Sequence, residues 1–179
     1  IELKSKVGVG TTVIVKIPFK IGTQDENSNL SDKSVSLDDY SVEGMRALVV
    51  EDNELNMEIA RCILEESGME VTCAADGKEA VEIFEKSEPD YFGVIYMDIM
   101  MPRMNGLDAA RTIREMKRRD AMRVPIIAMS ANAFAEDIIN SRLAGMNVYL
   151  AKPLDTEKMI IALKQCMADN RDVKLHEDL

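Results

Sequence analysis

Five short apolar runs, each followed by a stretch of helical periodicity, predict a doubly wound α/β domain: five parallel strands with helices on both faces. Three observations carry that expectation. The runs are short and rich in branched residues, as strands buried on both faces are. The stretches between them carry helix punctuation: asparagine or aspartate before the periodic residues, glycine after them. And the central run, Tyr91 to Met97, ends abruptly in Asp98, with Pro102 close behind. A carboxylate is costly in apolar surroundings unless something compensates it. Asp98 therefore belongs at the polar tip of a strand, against a cation, or both.

Each element follows in chain order. Met45–Val50 reads as the first strand. Asn53–Ser67 reads as a helix stopped by Gly68, with Leu55, Ile59 and Ile63 expected inward and Ala60 and Leu64 as secondary candidates for the same face. Met69–Ala74 is the second strand. Asp76 caps a second helix, whose Ala80, Val81 and Phe84 make the buried stripe. After the central strand, Leu107–Arg119 is expected to be helical through Leu107, Ala110, Ile113 and Met116. Val124–Met129 is the fourth strand, and Phe134–Ala144 a helix ended by Gly145. Val148–Leu150 is a short fifth strand. Asp155 caps a last helix with Met159, Ile160, Leu163 and Met167 inward.

This body is expected to span residues 44–170, with a polar tail over 171–179. Two other segments precede it. Residues 1–19 pair Glu2–Ser5 with Thr11–Phe19 across Gly8 and Gly10, a strand-turn-strand pattern with one greasier face. Such a hairpin alone is marginal in water and needs another surface. Residues 20–43 read as a flexible acidic linker: Gln24–Glu43 holds six acids, one lysine and five serines, too little apolar surface to offset ordering entropy. The opening Ile1 is no initiator, so the chain is expected to be a piece of something longer.

Bulk properties remove several classes of function. A net charge of −10 argues against a general nucleic-acid surface. No apolar run reaches the roughly 18 residues that a membrane span needs. Cys62, Cys73 and Cys166 stand singly, without close histidine or cysteine partners, and read as reduced thiols in a cytoplasmic core.

Doubly wound sheets bind ligands beyond the carboxyl ends of their strands. The first strand ends in Glu51-Asp52, the third in Asp98, the fourth in Ser130 and the fifth in Lys152-Pro153. Three carboxylates crowded together cannot all stay ionised without a cation. Oxygen donors without histidine or cysteine favour Mg2+, or Mn2+, over zinc. A hydroxyl from Ser130 and a fixed charge from Lys152 would suit a phosphoryl group passing to Asp98, since that transition state needs charge neutralisation and in-line positioning. The product would be an acyl phosphate on a carboxylate nucleophile.

These residues resemble a known family. Val49-Val50-Glu51-Asp52-Asn53, Met97-Asp98-Ile99-Met100-Met101-Pro102 with Asn105-Gly106, Ala128-Met129-Ser130-Ala131 and Tyr149-Leu150-Ala151-Lys152-Pro153 are similar to the response-regulator receiver domain, in the form fused to hybrid sensor histidine kinases. Ser5–Pro18 resembles the last hairpin of a histidine-kinase ATPase domain, which would make residues 1–19 its remnant. The resemblance implies a flavodoxin-like strand order, 2-1-3-4-5. It implies that Asp98 is the phosphoacceptor, that Asp52 binds magnesium directly and Glu51 through water, and that the Met100 carbonyl completes the metal site. Lys152 would pair with Asp98 and then with its phosphoryl group, with a cis bond before Pro153. Ser130 and Tyr149 would form a conformational switch. Glu51 stands where many members have aspartate, and Ser130 where many have threonine.

The implied partners are a histidine-kinase phosphodonor domain, in the same parent chain, and a histidine phosphotransfer protein docking near the first helix. The parent would be a membrane-anchored sensor; no membrane contact is expected of this segment. Two rival readings stay open. A phosphatase with an aspartyl nucleophile wants a second aspartate two residues on, where this chain has Met100. A receiver-shaped interaction module without a phosphorylation cycle would lack one of the key groups, and none is missing. Asn105-Gly106 reads as a turn. The basic cluster Arg111, Arg114, Lys117, Arg118, Arg119 and Arg123 reads as a solvated helix face ahead of a partner site.

Overall fold

A computed structural model describes residues 1–6, 8, 10–16, 41–131 and 134–177, the last nine of them by backbone alone. Two units are present. In the first, β1 (Glu2–Lys6) pairs antiparallel with β2 (Gly10–Ile14), with Leu3 opposite Val13. Leu3, Val13 and Val15 are all more than half exposed. Most of the expected linker, from 20 to 40, lies outside the described residues.

The second unit is a five-stranded parallel sheet of β3 (Arg46–Val50), β4 (Glu70–Ala74), β5 (Val94–Asp98), β6 (Ile126–Ser130) and β7 (Val148–Ala151). Its order, β4-β3-β5-β6-β7, is the expected 2-1-3-4-5. Between the strands run α1 (Glu54–Glu66), α2 (Gly77–Lys86), α3 (Gly106–Glu115) and α4 (Ala135–Leu143), with α5 (Thr156–Glu177) last. The stretch read as a polar tail is thus helical as far as Glu177.

Alternation along the central strands feeds two cores. Leu48, Val50, Ile95, Met97, Ile126 and Ala128 pack with Phe84 of α2 and Ile113 of α3. Ala47, Val49, Val94, Tyr96, Ile127 and Met129 face the other way, onto Ala60 and Leu64 of α1 and Met159 and Leu163 of α5. Each such large apolar side chain is worth about 1.5–3 kcal/mol when fully buried. Val42, inside the expected linker, joins the second core at 8% exposure. The Tyr96 hydroxyl, deep in that core, donates to the Met159 carbonyl at 3.0 Å, so its burial leaves no orphaned donor.

Local signals place the helix starts. The side chains of Asn53, Asp76 and Asn105 each accept the backbone N–H three residues on, and Asp155 does so for Lys158. Three expectations need correction. Leu55 and Ile59 point outward, 69% and 42% exposed; α1 buries only the narrower Ala60–Leu64 stripe fully. α3 ends at Glu115 rather than 119, because Met116 turns extended. And the basic cluster is no simple solvated face. Arg114 donates to the carbonyls of Ala121, Val124 and Gly145, and burial pushes its guanidinium down to about 10. Arg118 is consumed by Asp120 and by the carbonyls of Phe84, Ser87 and Glu88.

Candidate functional site

Register brings the acids together. Val50 lies opposite Met97 on adjacent parallel strands, so the next residues, Glu51 and Asp98, emerge side by side at the carboxyl edge. Asp98 is the last residue of a strand buried along its whole length. It is 4% exposed and Glu51 2%, while Asp52 is exposed. One oxygen from each of these three carboxylates can be chosen so that all lie within 4.8 Å of one another.

Lys152 reaches in from the neighbouring edge. Its backbone N–H donates to the Ser130 carbonyl at 2.8 Å, which carries the end of β7 along β6. Its Nζ donates to Glu51 Oε2 at 2.6 Å and to Asp98 Oδ2 at 2.7 Å. The Lys152–Pro153 bond is cis, as the resemblance implies. Burial works against the ammonium, but the hydrogen bonds it donates to Asp98 and Glu51 outweigh it and hold the Lys152 pKa above its ordinary value. The lysine is therefore a fixed charge at any physiological pH. Three carboxylates against one ammonium leave an excess of two negative charges. That excess, built of oxygen donors alone, fits a hard divalent cation such as magnesium.

The loop after β5 is held tightly. The Met100 N–H reaches back to Asp98 Oδ1 at 3.3 Å, while the Met100 side chain is 72% exposed. Gly106 is more than part of a turn. A Cβ there would sit 2.1 Å from the Asp98 carbonyl oxygen, so only glycine lets α3 start against the strand tip. Asn105 caps that same helix. Further along the loop, Arg103 pairs with Asp76, the buried cap of α2, and Met104 takes the Gly77 N–H on its carbonyl at 3.2 Å. A depression of about 430 Å³, lined in part by Asp52, Met101, Pro102 and Leu107, opens beside the acids.

Every residue expected at the site occupies the carboxyl edge or the strands leading to it. Ser130 closes β6, 2% exposed. Tyr149 lies on β7, half-buried against the first core, and its buried hydroxyl finds no hydrogen-bond partner among the described residues. Sequence reasoning missed two contacts: the direct Lys152–Glu51 bond, and Asn56, whose side-chain amide donates to Glu51 Oε1 at 2.9 Å. Asn56 is the third residue of α1, a position from which polar side chains reach back past the helix start. That was the available signal.

Comparison with known proteins agrees with this geometry. The profile of the response regulator receiver domain matches residues 47–164. "Probable histidine kinase 2" of Oryza sativa subsp. indica is 35% identical over 137 residues, covering 70% of this chain and 13% of the rice protein. The peroxide stress-activated histidine kinase mak1 of Schizosaccharomyces pombe is 31% identical, covering 75% of this chain and 8% of the yeast protein. This chain thus spans a small part of both kinases. The polar-differentiation response regulator DivK of Brucella ovis is 32% identical, with 68% of this chain matched to 95% of its own length. Among solved structures, the receiver domain of a Pseudomonas aeruginosa PAO1 sensor histidine kinase, with magnesium coordinated in its active-site cleft, is 38% identical with a TM-score of 0.63, covering 70% of this chain and 98% of that one.

Proposed function

This chain belongs to the response-regulator receiver family, and from that premise we propose that it serves a phosphorelay, accepting a phosphoryl group from a phosphohistidine onto Asp98 and passing it to a histidine phosphotransfer protein. The observation that carries this reading is the Lys152 ammonium shared between buried Glu51 and Asp98, next to exposed Asp52. An Asp98 carboxylate oxygen attacks phosphorus, the new O–P bond forms as the P–N bond breaks, and the imidazole leaves with the electron pair of that bond. Lys152 neutralises charge on the phosphoryl oxygens, and Ser130 supplies a hydroxyl to one of them. Magnesium, held by Asp52, Asp98 and the Met100 carbonyl and through water by Glu51, would supply the remaining charge neutralisation.

A switch through Ser130 and Tyr149 is part of the proposal. The unpartnered buried Tyr149 hydroxyl supports it, since such a group gains by moving to a partner. Docking of the phosphotransfer protein at α1 is supported by Leu55 and Ile59, exposed on that helix, and by Met100 beside the acids. The histidine-kinase relatives, much longer than this chain, support a phosphodonor domain in the same parent chain. The exposed apolar Leu3, Val13 and Val15 of the hairpin fit the edge of a larger sheet, such as that of a kinase ATPase domain. Among the described residues no helix is long and apolar enough to cross a membrane, and the three free thiols fit a cytoplasmic setting.

Acetyl phosphate with magnesium tests the central claim. Mass spectrometry should find one added phosphoryl group on the wild-type chain, none on Asp98→Asn, and none when EDTA is present. An unmodified wild type that binds beryllofluoride no better than Asp98→Asn would leave the interaction-module reading in its place.

A further inference from the structure

Glu51 is one methylene longer than aspartate, and in this fold the extra length is used. Its carboxylate spans two donors: Oε2 takes the Lys152 ammonium at 2.6 Å, and Oε1 takes the Asn56 amide at 2.9 Å. At 2% exposure Glu51 relies on these contacts in place of water. Asn56 is itself anchored, because its backbone N–H donates to the Asn53 side chain at 3.1 Å. The segment Glu51–Asn56 thus closes on itself: cap, helix start and acid hold one another.

We propose that Asn56 is a positioning residue for the metal site, fixing the Glu51 carboxylate so that the Lys152 charge is divided between Glu51 and Asp98. The proposal rests on the preceding reading that this pocket takes magnesium. Without the amide, Glu51 Oε1 is left buried with no donor, and the carboxylate loses the contact that sets its angle. Lys152 then settles on Asp98, the acid an incoming cation also needs. Cation and ammonium compete for one carboxylate, and magnesium binds more weakly. Groups that orient the acids of a metal site are commonly worth about 10–100-fold in affinity. Asn56 acts on one acid only, so the low end of that range is expected.

A double-mutant cycle read by calorimetric titration of magnesium into the 179-residue chain tests this. Asn56→Leu should weaken binding about tenfold. Glu51→Asp shortens the arm so that it no longer reaches Asn56, and in that background Asn56→Leu should change the affinity by less than about twofold. Equal losses in both backgrounds would mean that Asn56 merely supports α1, and would overturn the proposal. So would an Asn56→Leu chain that binds magnesium like wild type. A wild type that binds no magnesium would instead bring down the preceding reading, and this one with it. The wild-type chain offers a check that needs no substitution at position 56. The side-chain amide protons of Asn56 should exchange slowly with solvent, and faster in Glu51→Asp; fast exchange in wild type overturns the proposal.

Discussion

Two buried ion-pair centres sit at opposite ends of the same sheet, and their charge balance differs. At the amino end, Arg118 grips Asp120 with two hydrogen bonds of 2.6 and 2.8 Å, lies 4.2 Å over the Phe84 ring, and spends its other donors on carbonyls at the end of α2 and the turn into β5. Asp120 also takes the Asp90 N–H at 2.8 Å. One cation meets one anion, and the leftover donors are consumed. At the carboxyl end, Lys152 faces Glu51 and Asp98 with Asp52 close by, and the account does not close. Burial is similar, with side-chain exposures of 12% and 3% at one pair and 15%, 1% and 6% at the other. What separates a clamp from a candidate site here is the formal excess of negative charge, which no cation among the described residues is seen to match.

Removing each cation is the sharpest way to break that comparison. Lys152→Ala should slow phosphorylation of Asp98 by about 10²–10³-fold, the usual loss for one preorganised electrostatic group. Without metal it should also destabilise the fold, and magnesium should restore much of that stability. Arg118→Ala should cost about 3–5 kcal/mol, because Asp120 is left buried and unpaired. Magnesium should not restore that stability, and the folded fraction should phosphorylate at the wild-type rate. Urea unfolding with and without magnesium, beside an acetyl phosphate time course, reads the outcomes for both variants. Rescue of Arg118→Ala by magnesium would erase the distinction between the two centres.

Asp52→Asn tests the excess charge with a smaller effect. Wild type should gain about 2.7 kcal/mol of stability when magnesium reaches 100 times its dissociation constant. The variant should be more stable than wild type without metal, since one of the mutually repelling charges is gone, and should gain little when metal is added. A variant less stable than wild type in metal-free buffer would show that Asp52 is matched by something other than a bound cation.

Much of the carboxyl end was legible in the sequence, and the amino end was not. Glu51, Asp52, Asp98, Ser130 and Lys152 follow apolar runs directly, so locating the strands located them. The β5 run shows this best: all five of its residues are buried, and its last one is Asp98. Arg118 carries no such marker. Its partners at Phe84, Ser87 and Glu88 lie some thirty residues away, and helical spacing placed it on α3. The helix gives way at Met116, a case of tertiary contacts overriding helix propensity. Leu55 and Ile59 misled for a related reason. Apolar spacing reports a helix face, and here part of the apolar set is exposed next to the site rather than buried under it. Asn56 was visible only as a polar residue near a helix start; its partner depends on the extra methylene of Glu51.

Titration separates the two centres most gently, and from opposite directions. The hydrogen bond from Arg118 outweighs burial and holds the Asp120 pKa below the ordinary carboxylate range. A lowered acid stabilises the fold above its unfolded pKa, about 3.9, and that contribution is lost as pH falls through the folded value. Lys152 runs the other way. Its pKa is raised despite burial, so its contribution is full below the unfolded value of about 10.4 and is lost as pH rises through the folded one. Between pH 5 and 9 neither group changes charge, and stability should owe little to pH on their account. Urea unfolding across the pH range should show Asp120→Asn flattening the acid limb and leaving the alkaline limb as in wild type, while Lys152→Ala flattens the alkaline limb. An alkaline limb that Lys152→Ala leaves unchanged would show that the ammonium is not held by its two carboxylates in the folded chain.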